Sequence, residues 1–177
     1  MATLVNRRTP ELHRFEDDGA TPNNPRLPLL LYRDTLQDRP GLDPAAAYET
    51  LFAAHGWADS WRNGIYPFLH FHVAAHEVLG IARGSARVQF GGDQGRTLAV
   101  QAGDVVVLPA GTGHRRLSAS PDLLVVGAYP QGSDSSQHRP GEIDHRRACD
   151  RIGRVAVPTQ DPLYGAEGPL AAAWRAT

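Results

Sequence analysis

The chain holds 177 residues, about the length of one ordinary domain, so a second full domain has little room. Hydrophobic residues make up 41% and charged residues 21%, a balance that suits a folded globular protein rather than a disordered one. All 18 basic residues are arginine, set against 19 acidic residues for a net charge of -1. That balance supplies no electrostatic footprint for nucleic acid.

The longest apolar runs, Leu27 to Tyr32 and Val105 to Leu108, fall far short of the roughly 18 residues that cross a bilayer. Residues 1 to 20 contain Arg7, Arg8, Arg14 and several acids, with no apolar stretch of the kind a secretory signal needs. No membrane association and a cytoplasmic location are expected. Cys149 is the only cysteine, which excludes an intramolecular disulfide and leaves stability to packing.

In chain order, Glu11 to Leu36 is rich in Pro, Asn, Asp and Gly around two apolar stretches, and reads as an arm with one or two strands that covers a sheet edge. Asp43 is a candidate N-cap, Pro44 suits the first helical position, and Tyr48, Leu51, Phe52 and His55 form one stripe before Gly56. A short helix is predicted there. Period-two patterns then mark strands at Ile65 to His72, Glu77 to Arg83, Ala86 to Phe90, Arg96 to Gln101, Val105 to Leu108, His114 to Ser118 and Leu123 to Tyr129. Gly-, Pro-, Asp- and Ser-containing turns separate them, the signature of an antiparallel sandwich or barrel. Beyond a polar loop at 131 to 141, a helix is predicted within Glu142 to Ile152 and a helical turn near Trp174. The expected division is 1-60 as arm and helix, 61-130 as the barrel core with its site, and 131-177 as a C-terminal arm.

Four of the eight histidines need a chemical account. Residues two apart in a strand share a face, so His70 and His72 present two imidazoles side by side. After a turn, Glu77 offers a carboxylate from the next strand, and His114 supplies a third imidazole. Alternation sends His76 and Glu77 to opposite faces, although a bulge at the turn would rotate His76 inward. Glu77 is the favoured ligand. Three imidazoles and one carboxylate suit one divalent transition metal ion, Fe, Mn, Ni, Cu or Zn, rather than a sulfur-bound structural zinc.

The spacing from Gly64 through His70, His72 and Glu77 to Gly84 resembles the first motif of the cupin superfamily. The spacing from Gly103 through Pro109 and Gly111 to His114 resembles the second, with Ser118 where many cupins carry Asn. The flanking Gly56-Trp57, Trp61-Arg62-Asn63-Gly64, His76 to Gly80 and Asp161 to Gly165 are similar to the small bacterial single-domain cupins of the YjlB type. The resemblance implies an all-β double-stranded β-helix, the cupin jelly-roll barrel, with a short N-terminal helix and extended N- and C-terminal arms. It also implies a metal site at His70, His72, Glu77 and His114, without implying a substrate.

Three functions fit this reading. The first is a small-molecule metalloenzyme of oxygenase, isomerase or lyase type, in which an open-coordinated ion polarises or activates a ligand. The alternatives are a non-catalytic module that binds or senses a sugar or acid, and a purely structural cupin. Parity from His70 and His72 places Tyr66 on the metal face as a candidate proton donor. Trp57 and Trp61 are read as core more readily than as pocket walls, and Cys149 beside Arg146 and Arg147 as part of a solvated surface. Parity from His114 brings Arg116 inward, and parity from Glu77 brings Leu79, Ile81 and Arg83 inward. Those two guanidiniums point to an anionic substrate. A sandwich with open edges is expected to assemble as a homodimer.

Overall fold

The computed structural model describes residues 4–175; the ends of the expected division, 1–3 and 176–177, lie outside the described residues. Strands β1 (Glu11–His13) and β2 (Leu29–Tyr32) precede helix α1 (Pro44–Ala54). Then come β3 (Trp57–Asn63), β4 (Phe71–His72), β5 (Glu77–Arg83), β6 (Ser85–Phe90), β7 (Arg96–Gln101), β8 (Val105–Leu108), β9 (His114–Ala119) and β10 (Leu124–Pro130). The chain ends with β11 (Gln137–His138), α2 (His145–Ile152) and α3 (Leu170–Ala173). One sheet has the order β1-β2-β8-β5-β10-β3, and facing it are β7-β6-β9 and the short pair β11-β4, all antiparallel. The expected all-β barrel with a short helix and extended arms is the observed architecture.

The central strands β2, β8, β5 and β10 of the six-stranded sheet are buried on both faces, which explains why they are continuous apolar runs rather than alternating ones. Toward the barrel interior point Leu29 and Leu31 of β2, Leu79 and Ile81 of β5, and Val106 and Leu108 of β8. The alternate residues Leu30, Tyr32, Val78, Ala82, Val105 and Val107 pack outward against Tyr48 and Phe52 of α1 and against Leu163, Leu170 and Trp174 of the C-terminal arm. Gly80 is the point of closest approach, where an added Cβ would stand 2.8 Å from the Tyr48 ring. Helix α1 starts as predicted, with the Asp43 side chain accepting from the Ala45 N–H at 3.0 Å and Pro44 at its first position.

Three strands differ from the sequence expectation, one of them the short β11 within the segment read as a polar loop. Of Ile65 to His72, only Phe71–His72 is strand, joined by an isolated bridge from His70 to His114. Pro67 has no N–H to give a ladder, which ends pairing after the Tyr66 carbonyl accepts from the Arg116 N–H at 2.9 Å. Strand β3 was not anticipated, because Ala58, Asp59 and Ser60 break the apolar pattern. It is an edge strand whose register shifts opposite Gly127 to Tyr129, with Asp59 at φ 52°, the signature of a β-bulge.

Two buried polar residues fasten the C-terminal arm. The Asp161 carboxylate accepts from the Tyr32 hydroxyl at 2.5 Å and from the Leu163 N–H at 2.9 Å. His76 lies in the core against Trp174, with ring centroids 4.7 Å apart. Its Nδ1 accepts from the Ala110 N–H at 2.9 Å, so Nε2 carries the proton and donates to the Ala156 carbonyl at 3.1 Å. Both nitrogens are engaged, and His76 is a structural staple rather than a ligand.

Burial lowers the His76 pKa from 6.5 to about 4, because the charged ring would lose solvation and its Nδ1 would lose its donor. A base with a depressed folded-state pKa makes the unfolded chain the better proton binder between the two values. Its contribution to stability is therefore complete above about 6.5 and declines as the pH falls toward 4. Denaturant titrations across pH 4 to 7 are expected to show a steeper loss of stability for the wild type than for His76→Gln.

Candidate metal centre

Backbone pairing brings the ligand strands together before any side chain is considered. The His70 N–H donates to the His114 carbonyl at 3.2 Å and the His114 N–H returns to the His70 carbonyl at 3.0 Å. The His72 carbonyl accepts from Gly111 at 2.7 Å. Gly111 has φ +94°, and a Cβ there would lie 2.2 Å from the Asn23 carbonyl oxygen, so the turn before His114 requires glycine. Asn23 and Asn24 of the N-terminal arm hold the same turn. The Asn23 side chain accepts from the Gly113 N–H at 3.1 Å, and the Asn24 amide donates to the Ala110 carbonyl at 3.0 Å.

His70, His72 and His114 are all buried, and one ring nitrogen of each lies within 4.8 Å of the others. Each Nδ1 donates to a backbone carbonyl: His70 to Phe68 at 3.0 Å, His72 to Ser135 at 2.9 Å and His114 to Thr112 at 3.0 Å. With Nδ1 carrying the proton, Nε2 is left with its lone pair free, the tautomer required of a metal ligand. Glu77 opens β5 on the same interior face. Its Oε2 stands 3.4 Å from Nε2 of both His72 and His114, and is buried without a hydrogen-bond partner.

With each Nδ1 proton committed to a carbonyl, three Nε2 atoms and one carboxylate oxygen converge, an arrangement that needs either a proton on an imidazole or a metal cation among them. A divalent transition ion fits this donor set. The charges respond to one another as such a cluster requires. Burial alone would push the Glu77 carboxyl up, yet the His72 and His114 imidazoles hold it well below the usual carboxylate range. Burial lowers the His72 ring too, but the Glu77 carboxylate outweighs it and raises the pKa. For His70 burial prevails, helped by His114, and the pKa falls to about 3.

The ligands stand at the base of a cavity of about 240 Å³, which also includes Trp61, Ile65, Tyr66, Leu79, Tyr129 and Gln137 in its walls. Tyr66 is 46% exposed at the mouth, stacked on Phe68 at 4.7 Å and edge-on to His70 at 5.5 Å. Arg139 lies over the other member of that stack, 3.8 Å from the Phe68 ring centroid. Trp57 is core, whereas Trp61 walls the cavity and donates from its indole to the Tyr129 hydroxyl at 2.9 Å. Tyr129, unmarked by any motif, is the residue that sequence reasoning missed. Burial and the Glu77 charge raise its pKa, which keeps the phenol protonated.

The two arginines are not brought to the ion. Arg83 is exposed, because β5 carries an extra residue, Ala82, between Ile81 and Arg83 where it pairs with β10. Such a bulge ends the alternation on which the inward placement of Arg83 rests. Arg116 pairs with the buried Val88 and so keeps the inner side of β9 with His114, but it is not among the residues lining the cavity.

Comparisons with known proteins place the chain in a family. The family profile described as Cupin matches residues 57–140. Uncharacterized protein YjlB of Bacillus subtilis (strain 168) is 39% identical over 167 residues, covering 94% of this chain and 98% of that protein. Solved structures of Bacillus subtilis oxalate decarboxylase align with TM-scores of 0.39 and 0.37 at 21% and 20% identity. Those alignments cover 64% and 68% of this chain but only 28% and 29% of theirs. With a near full-length relative, and with His70, His72, Glu77 and His114 inside the matched region, the chain belongs to the cupin family.

Proposed function

We propose that this cupin holds one divalent transition metal ion on His70, His72, Glu77 and His114, and acts as a small-molecule metalloenzyme on an anionic substrate. The observation that carries the reading is the meeting of three imidazoles, each oriented through Nδ1, with the buried Glu77 carboxylate in one cavity. A bound ion would polarise a carbonyl, activate water or bind dioxygen in its open positions. Three neutral imidazoles and one carboxylate leave a divalent ion with a single positive charge in a water-poor site, and that residual charge favours an anion. The preference does not depend on Arg116 or Arg83.

The chain's own groups supply the rest. Carbonyls of Phe68, Ser135 and Thr112 orient the three rings. Ile65, Leu79 and the Trp61 ring restrict water and strengthen electrostatic contacts inside the cavity. Tyr129 offers a protonated hydroxyl beside Glu77, and the Tyr66 side chain stands at the mouth, so phenols are placed at two depths for proton transfer. Among the described residues β1 and β3 are the edges of the larger sheet, and Leu12 on β1 is 54% exposed. These unpaired edges support a homodimer.

Elemental mass spectrometry of protein loaded with a divalent metal is expected to find one ion per chain fewer in a His72→Ala, His114→Ala double variant; unchanged content would remove the site. In a thermal-shift screen of loaded protein, small carboxylates should raise the melting temperature and neutral sugars should not. At a concentration one hundred times its Kd, such a ligand adds about 2.7 kcal/mol of stability. Light scattering at micromolar concentration is expected to return twice the monomer mass of 19.2 kDa.

A further inference from the structure

A second group of metal-ligating side chains lies outside the barrel. His145 and Cys149 are four residues apart on α2, so they share one face of the helix. Asp17 of the N-terminal arm meets that face: His145 Nε2 is 2.9 Å from Asp17 Oδ2, and Cys149 Sγ is 3.6 Å from the same oxygen. One ligand atom of each residue lies within 4.8 Å of the others. Around a tetrahedral ion with bonds of about 2.0 to 2.3 Å, ligand atoms stand roughly 3.3 to 3.6 Å apart. Small side-chain rotations separate the observed arrangement from that geometry.

Asp17 and Cys149 also line a separate cavity of about 260 Å³, with Asn23, Asn24 and Ile152 among its other walls. It provides space beside the trio for a water or small ligand in a fourth position. The Asp17 carboxylate is already fixed by its other oxygen, which accepts from the Gly19 N–H at 2.8 Å. Oδ2 therefore faces the imidazole and the thiol without having to reorganise.

We infer that Asp17, His145 and Cys149 form a second metal site, selective for a borderline-soft divalent ion such as zinc and distinct from the barrel centre. One thiolate, one imidazole and one carboxylate, with one position left open, match the ligands that zinc takes from proteins. On binding, the Cys149 thiol releases its proton to solvent and the proton of His145 moves from Nε2 to Nδ1, which frees the Nε2 lone pair for the ion, so one proton is released. The site joins the segment that carries Asn23 and Asn24 to α2, and those two asparagines hold the turn before His114.

Cobalt(II) titration of the whole chain separates the two sites, because only this one contains sulfur. Wild type is expected to take up two cobalt ions per chain and to show a near-ultraviolet thiolate-to-cobalt charge-transfer band. Cys149→Ser should abolish the band and leave one ion, and Asp17→Asn and His145→Ala should each weaken the band's titration by at least ~10-fold, the scale of losing a ligand's fixed partner. The His72→Ala, His114→Ala variant should keep the band while losing the other ion. Absence of the band in wild type, or a band unchanged by Asp17→Asn and His145→Ala, would overturn the site whatever becomes of the barrel centre.

Discussion

The register of β5 is the constraint on which the other arrangements rest. In one direction it sends Glu77, Leu79 and Ile81 into the barrel, and in the other it sets Val78, Gly80 and Ala82 under α1. A slip of one residue would place Val78 among the imidazoles and bury the Glu77 carboxylate beneath Tyr48, with no partner for its charge. Helix packing and ligand geometry are therefore selected together. The close approach of Tyr48 to Gly80 fixes from outside the same register that brings Glu77 to the imidazoles inside.

Holding acceptors together in a buried space opposes folding, and the surrounding fold has to offset that cost. It does so through buried polar groups that are hydrogen-bonded to the surrounding backbone and side chains. His76 and Asp161 are both buried with hydrogen-bond partners in the C-terminal arm or in the turn after β8, and Asn23 and Asn24 clamp that turn from the N-terminal arm. Both arms are thereby part of the scaffold of the site. Arm strand β2 also lies inside the larger sheet, between β1 and β8.

The meeting of His70, His72, Glu77 and His114 was legible in the sequence because it depends on two rules that survive folding, the two-residue period of a strand and the gapped spacing of the motifs. Helix α1 was legible from Asp43 and Pro44, which act within a single turn. Arg83 was less so, since an extra residue at Ala82 resets the alternation and leaves no local mark in the composition. Pro67 did carry a readable signal, the missing donor that ends the strand predicted from Ile65. Tyr129 carried none, because its importance comes from Trp61 on the neighbouring strand and from Glu77 across the cavity. Asn23 and Asn24 looked like loop residues; only the turn they support, some 90 positions away, gives them a role.

The loop after β10 joins access and ligand orientation in one segment. Ser135 accepts from His72 Nδ1, Gln137 pairs with the His72 backbone and lines the cavity, and Arg139 covers the Phe68 ring beside Tyr66. A displacement of this loop that widened the mouth would also remove the acceptor that holds the His72 tautomer. Entry of a bulky ligand would then loosen the His72 ring, whereas a ligand small enough for the existing cavity would leave it held. The same carbonyl thus ties the size of an acceptable ligand to the orientation of His72.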